Sequence, residues 1–177
     1  QIREAFDGKK SSHGTFYSVT PCLTGIHSPR STGYIPDECT LMIDVRLPPT
    51  FGSGKSIALI SSIIDRYRSE NPGASVNVEV MDMVEPFVAD RNSILMRALR
   101  QSVEEVIQQP PRFTKKTGTG DMNIFGSEIG IPVATYGPGD AHLGHTKNEY
   151  VRSEEYKLSI EVYKKTVEKT ILEHHRM

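Results

Sequence analysis

Two histidines stand close together in a segment that follows a tight turn. His142 and His145 lie three residues apart, after a Gly-Pro-Gly turn at 137–139 that ends a short predicted strand at 133–136. Ligand sites of α/β proteins form at the ends of strands, and neutral imidazole is the commonest zinc ligand. A zinc site needs three or four ligands, and these histidines supply at most two. The segment therefore indicates either part of a metal site or two solvated loop histidines.

A glycine-rich run, TGTGD at 117–121, has residue types that could bind a substrate. Its two glycines allow the backbone to come close to a ligand. Thr119 adds a hydroxyl and Asp121 adds a carboxylate. A loop that caps a following helix has the same composition, so the run alone leaves a binding loop and a capping loop both open.

An arginine stands on the polar face of a predicted strand. Residues 40–47 alternate strictly, so apolar side chains share one face while Asp44 and Arg46 share the other. A guanidinium can hold a carboxylate through two parallel hydrogen bonds. The pattern indicates a grip on a substrate carboxylate or an exposed, salt-bridged strand face.

The run GSGKS at 52–56 lies between a strand and a helix, where a phosphate-binding loop would belong. The full pattern requires a glycine five residues before Gly54, and that position is Pro49, which has no amide to donate. No acidic partner for Mg²⁺ is evident either. A polar loop at a helix N-terminus is the favoured interpretation, and nucleotide binding is the weaker alternative.

The elements that must position these residues form two unequal halves. The first half predicts strands at 15–23 and 40–47, a helix at 56–67 and a strand at 76–80, which is most of an α+β layer. The second half predicts a helix from Asn92, the strand at 133–136 and a terminal helix capped by Ser153. The terminal helix has a stripe of apolar residues formed by Tyr156, Ile160, Tyr163, Val167 and Ile171.

One short strand cannot bury itself, so the second half is predicted to need more sheet than this chain supplies. The chain begins at Gln1 rather than Met, which predicts a processed or trimmed chain or a fragment. The two cysteines, Cys22 and Cys39, are too few for a disulfide framework and predict buried thiols in a cytoplasmic protein.

The overall charge excludes some function classes. The 177 residues include 21 basic and 22 acidic side chains, for a net charge of −1, and this disfavours a general nucleic-acid binder. The longest apolar runs are far shorter than the ~20 residues of a membrane helix. We therefore expect neither nucleic acid nor membrane as a partner.

Six segments, taken in order, resemble one family. The family is that of the zinc-dependent deacylases and peptidases that include acetylornithine deacetylase and succinyl-diaminopimelate desuccinylase. The resemblance is greatest to hydrolases that release lysine or ornithine from a carrier-protein conjugate. The segments are Tyr34-Ile35-Pro36-Asp37-Glu38, Asp44-Val45-Arg46, Gly118-Thr119-Gly120-Asp121, Ile131-Pro132-Val133, Gly137-Pro138-Gly139 and His145-Thr146-Lys147-Asn148-Glu149-Tyr150.

The resemblance implies a two-domain fold. Residues 1–88 would be most of an α+β lid, or dimerisation, domain, in which an antiparallel sheet has helices on one face. Residues 89–177 would be the C-terminal part of an α/β zinc-hydrolase catalytic domain. The strands that the second half lacks would then precede Gln1.

The resemblance also implies the site. His145 matches a zinc ligand, Arg46 matches the lid arginine that holds the substrate carboxylate, and Gly118 and Thr119 match a substrate-contacting loop. From the residues themselves rather than from the resemblance, we expect Asp121 to orient that loop and Glu149, which does not match the family's catalytic base, to pin the loop of His145. The remaining zinc ligands and the catalytic glutamate of the family have no counterpart here, and the proline usual after the His-Thr pair is Lys147.

The implied function is hydrolysis of an N-acyl amino acid, lysine- or ornithine-like, in amino-acid biosynthesis. Two zinc (or cobalt) ions would share a water, and a glutamate would accept its proton. The substrate would be a small N-acyl amino acid or a carrier-protein conjugate, and the lid would form a homodimer. This chain alone would be inactive. The alternative is a non-catalytic dimerisation or interaction fragment.

Overall fold

A computed structural model of the protein describes residues 2–29, 33 and 35–176. Tyr34 of the first motif lies outside the described residues. The chain divides into two compact units, Gln1–Pro86 with Lys115–Thr119, and Phe87–Thr114 with Gly120–Met177. No helix in the described part is both long and apolar enough to cross a membrane.

The first unit contains a two-stranded antiparallel sheet. Its strands pair from Thr20 opposite Arg46 to His27 opposite Thr40, with one irregularity after Leu23. The predicted strand at 15–23 begins later than expected, because Thr15–Tyr17 forms a 3₁₀ turn instead. The elements in order are α1 (Ile2–Asp7), β1 (Thr20–His27), β2 (Thr40–Arg46) and α2 (Ser53–Glu70).

The strand predicted at 76–80 is wrong, and so is the one at 133–136. Within the described residues the sheet has only β1 and β2, and neither segment pairs with them or with the other. Alternating valines favour extended backbone, but a strand also needs a neighbour to accept and donate its ladder hydrogen bonds. Val78 and Val80 remain exposed because no such neighbour is present in the described part.

The two cysteines are exposed, unpaired thiols, so the prediction that they are buried is wrong. Cys22 lies on β1, where most side chains are exposed. The buried hydrophobic side chains that form the core of this unit lie elsewhere, at Phe6, Val19 and Ile63. The rings of Phe6 and Phe51 meet edge to face with centroids 6.4 Å apart.

The second unit is built from two long helices and a short helical segment. The Ser93 side chain, rather than the predicted Asn92, caps the first of them by accepting from the Met96 amide at 3.3 Å. Ser153 is the first residue of the last helix rather than its cap. The elements are α3 (Ile94–Ile107), α4 (Asp121–Ile124), a π-helical turn (Phe125–Ile129) and α5 (Ser153–His174).

The core of this unit lies between α3 and α5. Val162 is fully buried and packs with Leu99 and Val103. The apolar stripe predicted on α5 is not its buried face, because its five members are 39–58% exposed. The buried face presents the small residues Ser159 and Thr166, whose hydroxyls donate to carbonyls of their own helix at 2.7 Å. Small side chains permit close approach of the two helices.

Ion pairs join both ends of α3 to the C-terminal half of α5, and their order along the two helices shows that the helices are antiparallel. Arg97 bonds Glu173, and Glu105 accepts from Lys165 at 2.7 Å and from Lys169 at 3.2 Å. The hydrogen bonds from these two lysines hold the pKa of the Glu105 carboxyl below its usual value. This contribution to stability is present above the ordinary glutamate pKa and is lost as the pH falls through the lowered one.

We predict that Val162→Ala lowers the free energy of unfolding by about 1.5–3 kcal/mol, because it leaves a cavity in a fully buried contact. Val167→Ala, on the same helix but 58% exposed, is the matched control and should change it by less than about 0.5 kcal/mol. Urea unfolding followed by circular dichroism measures both. Equal losses for the two variants would show that Val162 is not the core contact.

Candidate functional site

Arg46 is the last residue of β2 and is held by its neighbour on the same face. Its Nε donates to Asp44 Oδ2 at 2.8 Å, and both side chains are close to half exposed. At that exposure the pair adds little stability, but it restricts the rotamers of the arginine. A guanidinium has five N–H donors, so one bond to Asp44 leaves donors for a ligand carboxylate. The pair thus orients an arginine that can still bind an anion.

Gly118 and Thr119 lie in an exposed, irregular segment before α4. The end of this segment is closed by Asn123, whose side chain accepts from the Gly120 amide at 3.2 Å, while the Asn123 amide donates to the Gly120 carbonyl at 2.9 Å. The sequence analysis gave this orienting role to Asp121. The reciprocal pair of bonds assigns it to Asn123, which was missed because an asparagine has no motif of its own.

A tightly packed turn follows the glycine-rich segment. Gly126 is buried in the π-helical turn, and a Cβ at this position would overlap the ring of Phe87. The turn ends at Gly130, whose φ of 74° suits a glycine. The Thr135 hydroxyl approaches Met122 Sδ at 2.9 Å. These contacts hold α4 and the π-helical turn in place.

His145 has an unusual backbone conformation that Glu149 supports. Its φ is 64°, in the left-handed region that side chains with a Cβ rarely adopt. Its amide donates to Glu149 Oε2 at 2.9 Å, as the sequence analysis expected of that glutamate. The Thr146 hydroxyl and amide both bond the Leu143 carbonyl, at 2.7 and 3.0 Å. The exposed imidazole of His145 therefore belongs to a turn whose backbone is held by these hydrogen bonds.

His142 lies in the same turn but is anchored differently, with its amide donating to Asp140 Oδ1 at 2.8 Å. Within residues 2–29, 33 and 35–176, no group of three or more His, Cys, Asp or Glu side chains is placed to hold a metal ion. Since a zinc site needs three or four ligands, the described residues do not by themselves fit a complete one. His145 is available as a single ligand.

The start of α2 does not offer a phosphate site. Glu85 accepts from the Ser53 hydroxyl and from the Ser53 amide at 3.3 Å, and a Cβ on Gly52 would lie 3.1 Å from its carboxylate. A carboxylate therefore occupies the position that an anion would take at this helix N-terminus. The geometry favours the polar-loop interpretation. This role of Glu85 could not be predicted from the sequence, because Glu85 lies more than thirty residues after the start of α2.

The site residues are divided between the two units. Arg46, Gly118 and Thr119 belong to the first, and His142 and His145 belong to the second.

Residues 8–169 match the model of the peptidase family M20/M25/M40. The match spans most of the chain, so the chain belongs to this family of hydrolases.

Two relatives show the range of similarity. A Thermococcus kodakarensis protein named as a LysW-lysine/LysW-ornithine hydrolase is 41% identical over 90 residues, which is 51% of this chain and 26% of that protein. The LysW-lysine/LysW-ornithine hydrolase of Sulfurisphaera tokodaii is 28% identical over 158 residues, covering 88% of this chain and 41% of the relative. The chain thus spans about a quarter to two fifths of these relatives.

A solved structure agrees in fold. The crystal structure of an M20-family metallo-carboxypeptidase from Sulfolobus solfataricus superposes with a TM-score of 0.70 and 17% sequence identity. The similarity covers 96% of this chain and 42% of that one. The family resemblance drawn from the six motifs is therefore confirmed, and the fold corresponds to a portion of this larger structure.

We predict that Glu149→Ala speeds hydrogen exchange of the His145 amide about tenfold or more, because that amide loses a charge-assisted bond. Exchange measured residue by residue by NMR tests this. Glu154→Ala, which removes an exposed carboxylate five residues further on, is the control and should leave the rate unchanged. An unchanged rate in Glu149→Ala would contradict the pinning role.

Proposed function

We propose that this chain is part of a metal-dependent amidohydrolase that removes the acyl group from an N-acyl amino acid of the lysine or ornithine type. The observation that carries the proposal is membership of the M20/M25/M40 family with relatives named as LysW-lysine/LysW-ornithine hydrolases. Those names support a carrier-protein conjugate as the substrate and a role in amino-acid biosynthesis. Residues 1–88 would form the lid and residues 89–177 the end of the catalytic domain.

Arg46 binds the substrate's free carboxylate in this proposal. The bond from its Nε to Asp44 at 2.8 Å supports the role, since it limits the side-chain freedom that binding would otherwise remove. Its remaining donors match the two oxygens of a carboxylate. Gly118 and Thr119 contact the backbone end of the substrate, which the exposed segment and the absence of a side chain at Gly118 permit.

His145 contributes one ligand to the metal centre of the complete enzyme. The bond from its amide to Glu149 supports this, because a fixed backbone limits the directions that the imidazole can take. Zinc, or cobalt, would supply an activated water and a Lewis acid. Since the described residues do not form a full ligand set, the chain alone would be inactive. A cytoplasmic homodimer joined through the lid belongs to the same proposal.

A non-catalytic dimerisation or interaction role is the second candidate. The observation that favours it is that no group of three metal-binding side chains is found among the described residues. A zinc titration of this chain alone does not separate the two roles, because a lone His145 would bind zinc only weakly in either of them. The assays below therefore use the intact protein as its source organism makes it. A metal-free intact protein without hydrolase activity would favour the interaction role.

We predict that Arg46→Ala in the intact protein raises KM for N-acyl-lysine about 10- to 100-fold while zinc content holds, because a charged hydrogen-bonding partner of the carboxylate is lost. Steady-state kinetics and metal analysis measure both quantities. The control is Arg66→Ala, which removes an exposed arginine of α2. Unchanged kinetics for Arg46→Ala would reject the carboxylate assignment.

We predict that His145→Ala lowers the zinc content of the intact protein by about one ion per chain, because a zinc ion that loses one of its few ligands is weakly held. Inductively coupled plasma mass spectrometry after dialysis gives the count. His142→Ala, three residues away in the same turn, should keep the full content. Full retention by His145→Ala would reject His145 as a ligand.

A further inference from the structure

Lys115 is held against two aromatic rings of the first unit. Its Nζ lies 5.3 Å from the centroid of the Phe16 ring and 4.8 Å from that of Tyr17, and it also donates to the Tyr17 hydroxyl. The two rings meet edge to face with centroids 5.1 Å apart, which keeps them together as a platform. An ammonium close to an aromatic ring such as that of Phe16 is attracted by the ring's negative charge density, and the Tyr17 hydroxyl accepts a hydrogen bond from the same ammonium. Lys115 thus has two favourable contacts, one with the Phe16 ring and one with the Tyr17 hydroxyl.

Lys115 is the first residue of the short segment Lys115–Thr119. This segment belongs to the first unit, although the residues on both sides of it belong to the second. The last two residues of the segment are Gly118 and Thr119. Gly118 is only three residues after Lys115, so the contacts of Lys115 restrain one end of the short stretch of backbone to which Gly118 and Thr119 belong.

The segment has little else to hold it. Residues 112–120 are exposed and have no regular secondary structure. The adjoining Gly120 is fixed by its bonds with Asn123. Lys116, the next residue, makes no ring contact or ion pair within the described part of the chain. Lys115 is therefore the anchor at the start of the segment, as Asn123 is at its end.

We propose that Lys115 is a positioning residue that, through Phe16 and Tyr17, holds the backbone of Gly118 and Thr119 in the conformation that receives the substrate. The proposal rests on the substrate-binding role proposed above for those two residues. It assigns to Phe16 and Tyr17 a purpose that none of the sequence motifs indicated. Without the anchor, the segment samples more conformations, and binding must order it again.

NMR relaxation of the backbone of this 177-residue chain tests the anchor without any assay of activity. In Lys115→Met, which keeps the length of the side chain but not the charge, the order parameters of the 117–119 amides should fall to about 0.6 or below, the range of flexible backbone. Lys116→Met removes the same charge one residue along and should leave them unchanged. Lys115→Arg retains a cation beside the rings and should restore most of the order. Equal order parameters in Lys115→Met and Lys116→Met overturn the anchor.

Kinetics of the intact, zinc-loaded protein tests the consequence for binding. Lys115→Met should raise KM for N-acyl-lysine about two- to fivefold with kcat unchanged, and Lys115→Arg should reverse the effect. Lowered order parameters with an unchanged KM overturn the positioning role while leaving the proposed hydrolase intact. An unmodified intact protein that loads zinc but hydrolyses no N-acyl amino acid overturns the proposed function, and the positioning role with it. The order parameters then still report whether Lys115 anchors the segment.

Discussion

The packing of α5 against α3 around Val162 is the contact on which the rest of the second unit depends. The 45 residues between these helices include α4 and one π-helical turn but no paired strand. They are attached to the helical core at Tyr136, whose ring meets Tyr163 edge to face at 5.6 Å and whose carbonyl accepts from the Tyr163 hydroxyl. Burial raises the pKa of Tyr136, and Tyr163 adds to the effect. The turn that carries His145 follows directly from this attachment.

Both units have large exposed apolar side chains. They include the stripe on α5 in the second unit and, in the first, residues of β1 and β2 such as Ile26 and Met42. Exposed apolar side chains in such number are candidates for contact with further protein. In the proposed hydrolase, that contact would come from regions of the longer relatives that this chain does not span.

Local signals in the sequence predicted the three long helices and the strand β2 well. The alternation at 40–47 corresponds closely to β2, and the helical spacing at 56–67 lies within the longer α2, because both patterns report a period that the backbone itself imposes. The predictions failed where the outcome depends on a partner. The segments 76–80 and 133–136 lack a neighbouring strand within the described residues, and α5 turns a face of small residues to α3.

The contacts of the candidate-site residues also divide into local ones, which the sequence could predict, and long-range ones, which it could not. The pairing of Arg46 with Asp44 and the bond of Glu149 to the His145 backbone could be predicted, because each joins residues with local spacing in one motif. Glu85 at the start of α2, and Lys115 against Phe16 and Tyr17, could not, because those contacts join residues far apart in sequence. The reciprocal bonds of Asn123 are local, but the neighbouring carboxylate of Asp121 was the more obvious candidate for the same role.

The proposal that Arg46 binds the substrate carboxylate in a metal-dependent hydrolase is tested most directly with two substrates that differ at one group. The intact, zinc-loaded protein is assayed for hydrolysis of N-acyl-lysine and of its α-carboxamide, before and after removal of metal with a chelator. We predict metal-dependent cleavage of both substrates. kcat/KM should be about 10- to 100-fold higher for N-acyl-lysine than for its α-carboxamide, because only the free carboxylate forms charged hydrogen bonds with Arg46. Equal rates on both substrates, or cleavage that survives removal of the metal, would contradict it.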